Sequence, residues 1–368
     1  MPSPISPLLG KASDDVIHIR GLALRTFCQE LLKGVGVPNA QAFIVADSLV
    51  ASNLRGIDSH GVLLLPGYIM QLRNGGVDGV ARGKVVSEVG GSMLYDGQNG
   101  LGQVVSEVCC DHAVRLARRQ GIAIVVVRNS HHFGAAAYWS QKIAAGGCIG
   151  ISLSTAGPAV APWQGRTPSI GTNPIAMALP GEAGRKWLLD MATSTVAKNK
   201  VAHAASLGWS AIPASWAFVD AEGKPTTDRV AAEQGWPLPL GGYKGTGLAM
   251  MVELLCAGLS GNPVASDAPV SRDGSVPLHV SHTFLAINTS VFAAPDEFDA
   301  RTDRLVALMK ASELRTGFDE VLVAGEPEWR TEAERQHQGI PIGQSLWERL
   351  TEIGVQLKVL PPGPDANA

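Results

Sequence analysis

IAIVVVRNSHHFG, residues 122–134, decides how this chain is read. Five of its first six residues are β-branched, and the run turns polar at Arg128. Such a short apolar run predicts a buried strand. Two adjacent histidines stand at its end, where a loop beside a rigid element is a favoured place for chemistry. Neighbouring residues on a strand point to opposite faces, so His131 and His132 are not expected to share a metal ion. Cys148 is the nearest cysteine, and a lone distant thiol does not complete a ligand set. A proton-transfer centre and a purely structural pair both remain open at this point.

The strand is one part of an alternating pattern. Before it, SMLYDGQNGLG (92–102) predicts a short strand and a glycine-rich turn, and residues 103–120 a helix ending at Gly121. After it come a helix over 135–145, the strand IGISL (149–153) and the short strand WLLD (187–190). TFLAI (283–287) and VLV (321–323) read as late strands. Near the start, residues 18–55 read as two helices broken at GVGVPN (34–39), with Asn39 capping the second and Gly56 ending it. GVGVPN is not a dinucleotide fingerprint: no strand precedes it and Pro38 sits inside the turn. A helix from GGYKGTG to about Leu259 is apolar nearly all round, which predicts a central, buried position. The tail after Pro361 is expected to be loose.

With 368 residues, the chain exceeds most single cores, so two lobes are expected. Hydrophobic residues at 45% against 17% charged exclude a disordered chain. The formal charge of −3 and the scattered lysines and arginines argue against nucleic acid as a partner. No apolar run approaches a membrane span, and the first fifteen residues lack the pattern of a signal peptide. Five widely spaced cysteines (Cys28, Cys109, Cys110, Cys148 and Cys256) fit reduced thiols in a cytoplasm.

Four further stretches carry chemical residue types. IDSHG (57–61), followed by Tyr68, places a histidine beside a serine and an aspartate that can orient it, although Asp58 or Ser59 can equally cap a helix. GTNP (171–174) makes tight turns with free backbone N–H groups. DMATSTVAKNK (190–200) sets a carboxylate at a strand end before three hydroxyl residues. GGYKGTG (241–247) opens a helix with glycines and Lys244, a combination that favours phosphate.

In this order, DSHG with Tyr68, DGQNGLGQVV, RNSHHFGAAAYW, GTNPIAMALPG, DMATS, GGYKGTGLAMMVELLCAGLSG and GEPE (325–328) resemble the malate/L-lactate dehydrogenase family of oxidoreductases that lack a Rossmann fold. That family includes sulfolactate dehydrogenases and the piperideine- and pyrroline-2-carboxylate reductases. The resemblance runs from about residue 20 to about residue 345. It implies an α/β fold with a mixed, largely antiparallel cofactor-binding sheet in residues 81–289. A helical lobe would come from residues 1–80 and 290–368. It further implies NADPH or NADH as cofactor, a homodimer, a small-molecule substrate, and no metal. The activity implied is reduction or oxidation of a 2-oxo acid, 2-hydroxy acid or cyclic imino acid.

By the same resemblance, His60, Ser59 and His132 would be catalytic. Position 64, Tyr68 and His132 would meet the substrate. His132, Thr172, Asn173, Pro174, Asp190, Met191, Ala192, Gly241, Gly242, Lys244, Gly245, Gly325, Glu326, Pro327 and Glu328 would meet the cofactor. The sequence departs from the family at Leu64, where relatives carry an arginine that grips a carboxylate, and leucine cannot replace it. Arg55, Arg73 and Arg166 are the candidate substitutes. Ala156, Tyr243 and Lys200 also differ from residues found in some relatives. The missing arginine leaves two alternatives: an imine reductase without the usual carboxylate contact, or a homologue that binds a dinucleotide without turnover.

Overall fold

The computed structural model describes residues 16–181 and 186–363. In chain order, β1 (Val16–Ile19) leads into three helices, α1 (Gly21–Gly34), α2 (Asn39–Leu54) and α3 (Leu65–Asn74). Then come β2 (Lys84–Val89), β3 (Ser92–Asp96), α4 (Gly102–Gln120), β4 (Ile122–Ser130), α5 (Ala136–Ala145) and β5 (Cys148–Ser154). β6 (Ile175–Ala178) and β7 (Leu188–Met191) follow, then α6 (Asn199–Ser206), β8 (Phe218–Val219), β9 (Pro225–Thr226), α7 (Arg229–Gln234) and β10 (Trp236–Pro237). The last elements are α8 (Tyr243–Glu253), β11 (Val280–Asn288), α9 (Pro295–Lys310), α10 (Glu326–Gln338), β12 (Ile340–Gly343) and α11 (Gln344–Leu357).

The main sheet has seven strands in the order β2-β3-β4-β11-β5-β6-β7. Only β3 and β4 run parallel; every other neighbour is antiparallel. β11 lies between β4 and β5, with Phe284 opposite both Val125 and Ser152. α4 and α5 cover one face, where Cys109, Leu116, Trp139 and Ile143 pack on Val125, Val127 and Phe284. On another side, Val252 and Cys256 pack on Leu153.

A second apolar core joins the two ends of the chain. β1 pairs antiparallel with β12, Val16 opposite Gly343. Leu24, Phe27 and Leu31 of α1, Leu49 of α2 and Ile69 of α3 share that core with Ile340, Ile342 and Leu350. A third, smaller core of Val201, Ala204, Trp216, Phe218 and Ala232 lies under α6, α7 and the three-stranded sheet β10-β8-β9.

Several sequence expectations are corrected. Asn39 is the first helical residue of α2, not its cap; Pro38 takes that place with no side-chain bond. The Asn39 amide oxygen instead accepts from Gln29 Nε2 at 2.9 Å. VLV (321–323) is not a strand. One hydrogen bond, Leu188 N to Ala324 O, ties the next residue to the edge of β7, too few to extend the ladder. The apolar helix α8, with its continuation as a π-helix over Leu254–Gly258, is not buried all round. Its small residues Gly245, Ala249, Val252 and Cys256 recur at helical spacing and face the protein. Met250, Met251, Leu254 and Leu259 are 54%, 40%, 63% and 56% exposed. Of the tail after Pro361, residues 364–368 lie outside the described part.

The strand β4 runs on to Ser130, past the apolar run. Asn129 has φ +51, so the end of the strand is kinked, and the pairing with β11 shifts register between Val280 and His282. His131 and His132 therefore lie just beyond the strand, and strand alternation does not govern them. The first residue of α4 lies directly against this loop: a Cβ on Gly102 would collide with the carbonyl oxygens of His131 and His132. Only glycine permits such an approach of one backbone to another. Gly102→Ala is therefore expected to cost about 1–3 kcal/mol through overpacking and to lower the denaturant midpoint of unfolding. An unchanged midpoint would mean that α4 and the loop separate freely.

Candidate active site

The segment after α2 is a single 3-10 turn, Asp58–His60. Asp58 makes no helix cap. Its carboxylate accepts from Asn53 Nδ2 at 2.6 Å and takes a bidentate pair from Arg335 of α10, at 2.7 and 2.9 Å. Such a fork has fixed geometry and locks the turn. Asn53 also receives the Val62 N–H through Oδ1 at 2.8 Å, and a side chain on Gly61 would collide with that amide. The aspartate and glycine of DSHG are therefore positioning residues. Ser59 Oγ lies 3.0 Å from His60 Nδ1.

His132 is brought to this turn from the other core. The His60 and His132 rings lie near-parallel, 19° apart in plane and 5.8 Å between centres. Tyr68 of α3 puts its hydroxyl 2.6 Å from His132 Nδ1, which also receives the Gly134 N–H at 3.3 Å. His131 is buried, 2% exposed, and its Nε2 has no hydrogen-bond partner among the described residues. His131 O instead accepts from His282 Nε2 at 3.1 Å. The neighbouring Phe133 O accepts from Trp139 Nε1 at 2.8 Å.

The crowded cleft disfavours charge on these rings. Burial, then the positive charge of Lys200, pushes His60 down to about 4. Burial, then the neighbouring His60, His131 and His282, pushes His132 down to about 3. Burial raises the Tyr68 phenol, so it keeps its proton. At neutral pH the site is thus two neutral imidazoles and a phenol. Because Nδ1 of neutral His132 is an acceptor, its proton sits on Nε2.

Leu64 is partly buried and packs against the core shared by α1, α2, α3 and α11. Of the candidate cations, Arg73 bonds Gln356 at 3.1 Å, and the Arg166 chain lies beside Gly223. Arg55 is buried and donates to Gln141 at 2.8 Å. Lys200 is the cation that acts on His60. No local motif signals the Arg335–Asp58 pair, which spans 277 positions.

The remaining candidate residues gather along the edge of the sheet. β6 pairs with β7, placing Ile175 opposite Met191 and Ala176 opposite Asp190. Pro174 precedes β6, and Thr172 O accepts both the N–H and the hydroxyl of Thr193, at 2.9 and 3.0 Å, so Ala192 lies in a tied loop. Asn173 is fully buried, and protein groups occupy its side chain. Nδ2 donates to Ala249 O at 3.0 Å and Glu253 at 2.7 Å, while Oδ1 accepts from Ala156 N at 3.0 Å. Its side chain thus braces the 156–173 loop against α8, with both amide hydrogens engaged. Asp190 accepts from Ala137 N at 3.3 Å.

Gly325, at φ +98, precedes α10 beside β7. Glu326 is likewise engaged, pairing with Lys310 and accepting from Val323 N at 3.1 Å. Pro327 stands in the first turn of α10, and Glu328 beside it acts electrostatically on Asp190 and Lys200.

The start of α8 joins the same edge, since Leu240 N donates to Thr193 O at 2.9 Å. Gly241 and Gly242 have φ +58 and +66, and a side chain on Gly245 would collide with the backbone of Leu240 and Thr193. Lys244 is exposed. Trp163 is 51% exposed, its ring against Gly242, and its backbone N–H donates to Thr246 Oγ1 at 2.9 Å. First-turn N–H groups, an ammonium and an open indole suit a ligand with both phosphate and a flat ring. Among the described residues no three His, Cys, Asp or Glu side chains converge as a metal set. No described helix is long and apolar enough to cross a membrane, and all five cysteines are buried and free.

Comparison with known proteins gives this geometry its setting. The family profile of malate/L-lactate dehydrogenases matches residues 20–351. The chain is 38% identical over 324 residues to L-sulfolactate dehydrogenase of Methanocaldococcus jannaschii, covering 88% of this chain and 92% of that protein. It is similar to the solved malate dehydrogenase of Pyrococcus horikoshii OT3, with TM-score 0.87 and 35% identity over 96% of this chain and 99% of that one. It is also similar to the delta1-piperideine-2-carboxylate reductase of Pseudomonas syringae, with TM-score 0.79 and 30% identity over 91% and 99% of the two chains. The chain therefore belongs to the malate/L-lactate dehydrogenase family of oxidoreductases.

Proposed function

We propose that this protein is an NADH- or NADPH-dependent dehydrogenase of a small polar 2-hydroxy acid, acting also in the direction of 2-oxo acid reduction. The observation that carries the reading is the pair of near-parallel, neutral His60 and His132 rings beside the Tyr68 hydroxyl. A nicotinamide cofactor, when bound, supplies or accepts the hydride. Gly241, Gly242 and Lys244 would hold its phosphates, Trp163 offers a face for a ring, and the 172–174, 190–192 and 325–328 segments form the adjoining wall. The exposed apolar strip of Met250, Met251, Leu254 and Leu259 supports a second copy of the chain as its cover.

The two histidines divide the work. His132 has Nδ1 covered by Tyr68 and the Gly134 N–H, so its Nε2–H acts as a hydrogen-bond donor to the substrate oxygen. His60, oriented by Ser59 and neutral at working pH, takes the hydroxyl proton during oxidation. In reduction it returns that proton, and the negative charge growing on the substrate oxygen offsets the burial that disfavours its charged form. Leu64 favours a second reading, in which an imine that makes no carboxylate contact is reduced by the same group, because position 64 supplies no cation.

Purified protein assayed with NADH and NADPH against pyruvate, oxaloacetate, sulfopyruvate and 1-piperideine, an imine without a carboxylate, tests the choice. Turnover of the oxo acids supports the first reading, and turnover of the imine alone supports the second. Cofactor binding with no turnover anywhere would leave a dinucleotide-binding homologue. His60→Ala is expected to lower kcat about 100- to 10,000-fold with the cofactor dissociation constant unchanged; wild-type turnover would remove His60 from the chemistry.

The pH profile has a definite sign. A histidine held down to about 4 stays neutral, hence competent as a base, at all higher pH. For oxidation, kcat/KM should be flat from neutral pH down to about pH 5 and fall near pH 4. An acidic limb centred at the ordinary histidine value would show that His60 is not the base.

A further inference from the structure

Resting on the reading above, an acidic substrate needs a positive charge at the cleft, and the histidines supply none at neutral pH. We propose that Lys200 is the cation that holds the acidic group of the substrate beside His60. α6 packs against the 58–60 turn that carries His60. His203, one helical turn after Lys200, turns its Nε2 to within 3.9 Å of the Asp58 carboxylate. Residues three apart share a helix face, so Lys200 lies on the face of α6 that looks at this turn. The charge that acts on His60 is indeed that of Lys200.

The other nearby cations are committed. Arg335 is forked onto Asp58, and Arg55 donates to Gln141. Lys200 Nζ instead lies 5.6 Å from the centre of the Trp216 ring and forms no ion pair with a carboxylate among the described residues. Glu328 of α10 acts on it only at longer range. Burial pulls the Lys200 ammonium down from the ordinary lysine value, while the indole face it rests on favours its charge and leaves its donors for an anion. Carboxylate and sulfonate groups are both suited to it. Leu64 needs no replacement on its own element under this arrangement, because the charge enters from α6.

Full-length wild type, Lys200→Gln and Lys200→Arg are compared with the best 2-oxo acid found and with pyruvamide, a neutral 2-oxo amide. Lys200→Gln should raise KM for the acid about 100-fold while changing kcat about threefold or less. KM for pyruvamide and for the cofactor should stay as in wild type, and Lys200→Arg should recover most of the affinity for the acid. An equal loss on acid and amide would make Lys200 merely structural, and a loss confined to the cofactor KM would assign it to cofactor binding; either overturns the proposal. Calorimetric titration of the protein with oxamate, with cofactor present, reads the same contact without turnover. Oxamate binding that weakens in Lys200→Gln supports Lys200 even if no tested acid is turned over, which would count against the substrate reading alone. Binding of equal strength in both, or none in wild type, overturns the assignment of Lys200.

Discussion

The structure depends on how the loop after β4 is held. The Gly102 backbone lies against the carbonyls of His131 and His132, His282 donates to His131 O, and Trp139 donates to Phe133 O. Each contact satisfies or crowds main chain rather than side chain. The loop therefore has one conformation, and His132 is presented to the other core, its ring held by Tyr68 and by the Gly134 N–H. Gly134, with φ +80, lets the chain turn from the loop into α5.

A second clamp of the same kind holds the partner. Arg335, close to the carboxyl end, forks onto Asp58 near the amino end, while β1 pairs with β12. The first ties α10 to the turn carrying His60, and the second closes the core beside it. The two histidines thus come from different cores and meet at the junction between them. Burial at this junction disfavours charge on both imidazoles and holds them in the neutral form. A group kept neutral but close to a lysine suits reversible proton transfer, since small changes in substrate charge move its balance.

The cofactor side follows a different logic. Its candidate segments are far apart in sequence, but neighbouring positions on β6 and β7 and the bond from Leu240 to Thr193 place them side by side. Asn173 and Glu326 are tied to the protein around them. Both are polar residues in suggestive loops, and both have their polar atoms engaged by protein partners. The bare backbone at Gly241 and Gly242 offers more to a ligand than these side chains.

The sequence by itself determined most local structure. Glycines at 75, 121 and 134 mark helix ends and turns because only they relax at positive φ. The run IAIVVV makes a strand because β-branched residues suit a pleated, covered surface. The motifs around His60 and His132 were legible as chemistry, since their residue types are costly to place idly. What only the tertiary structure decided is which of these residues meet. The histidine pair is 72 positions apart (132 − 60), and the Asp58 clamp comes from the far end of the chain. α8 looked buried because apolar residues surround it, yet only its small-residue stripe has protein to pack on. VLV looked like a strand, but the edge it would join gives the next residue a single hydrogen bond. Lys200 carries no local sign of its position. Periodicity and turn chemistry act over a few residues, whereas burial, pairing and charge proximity are set by how distant segments pack.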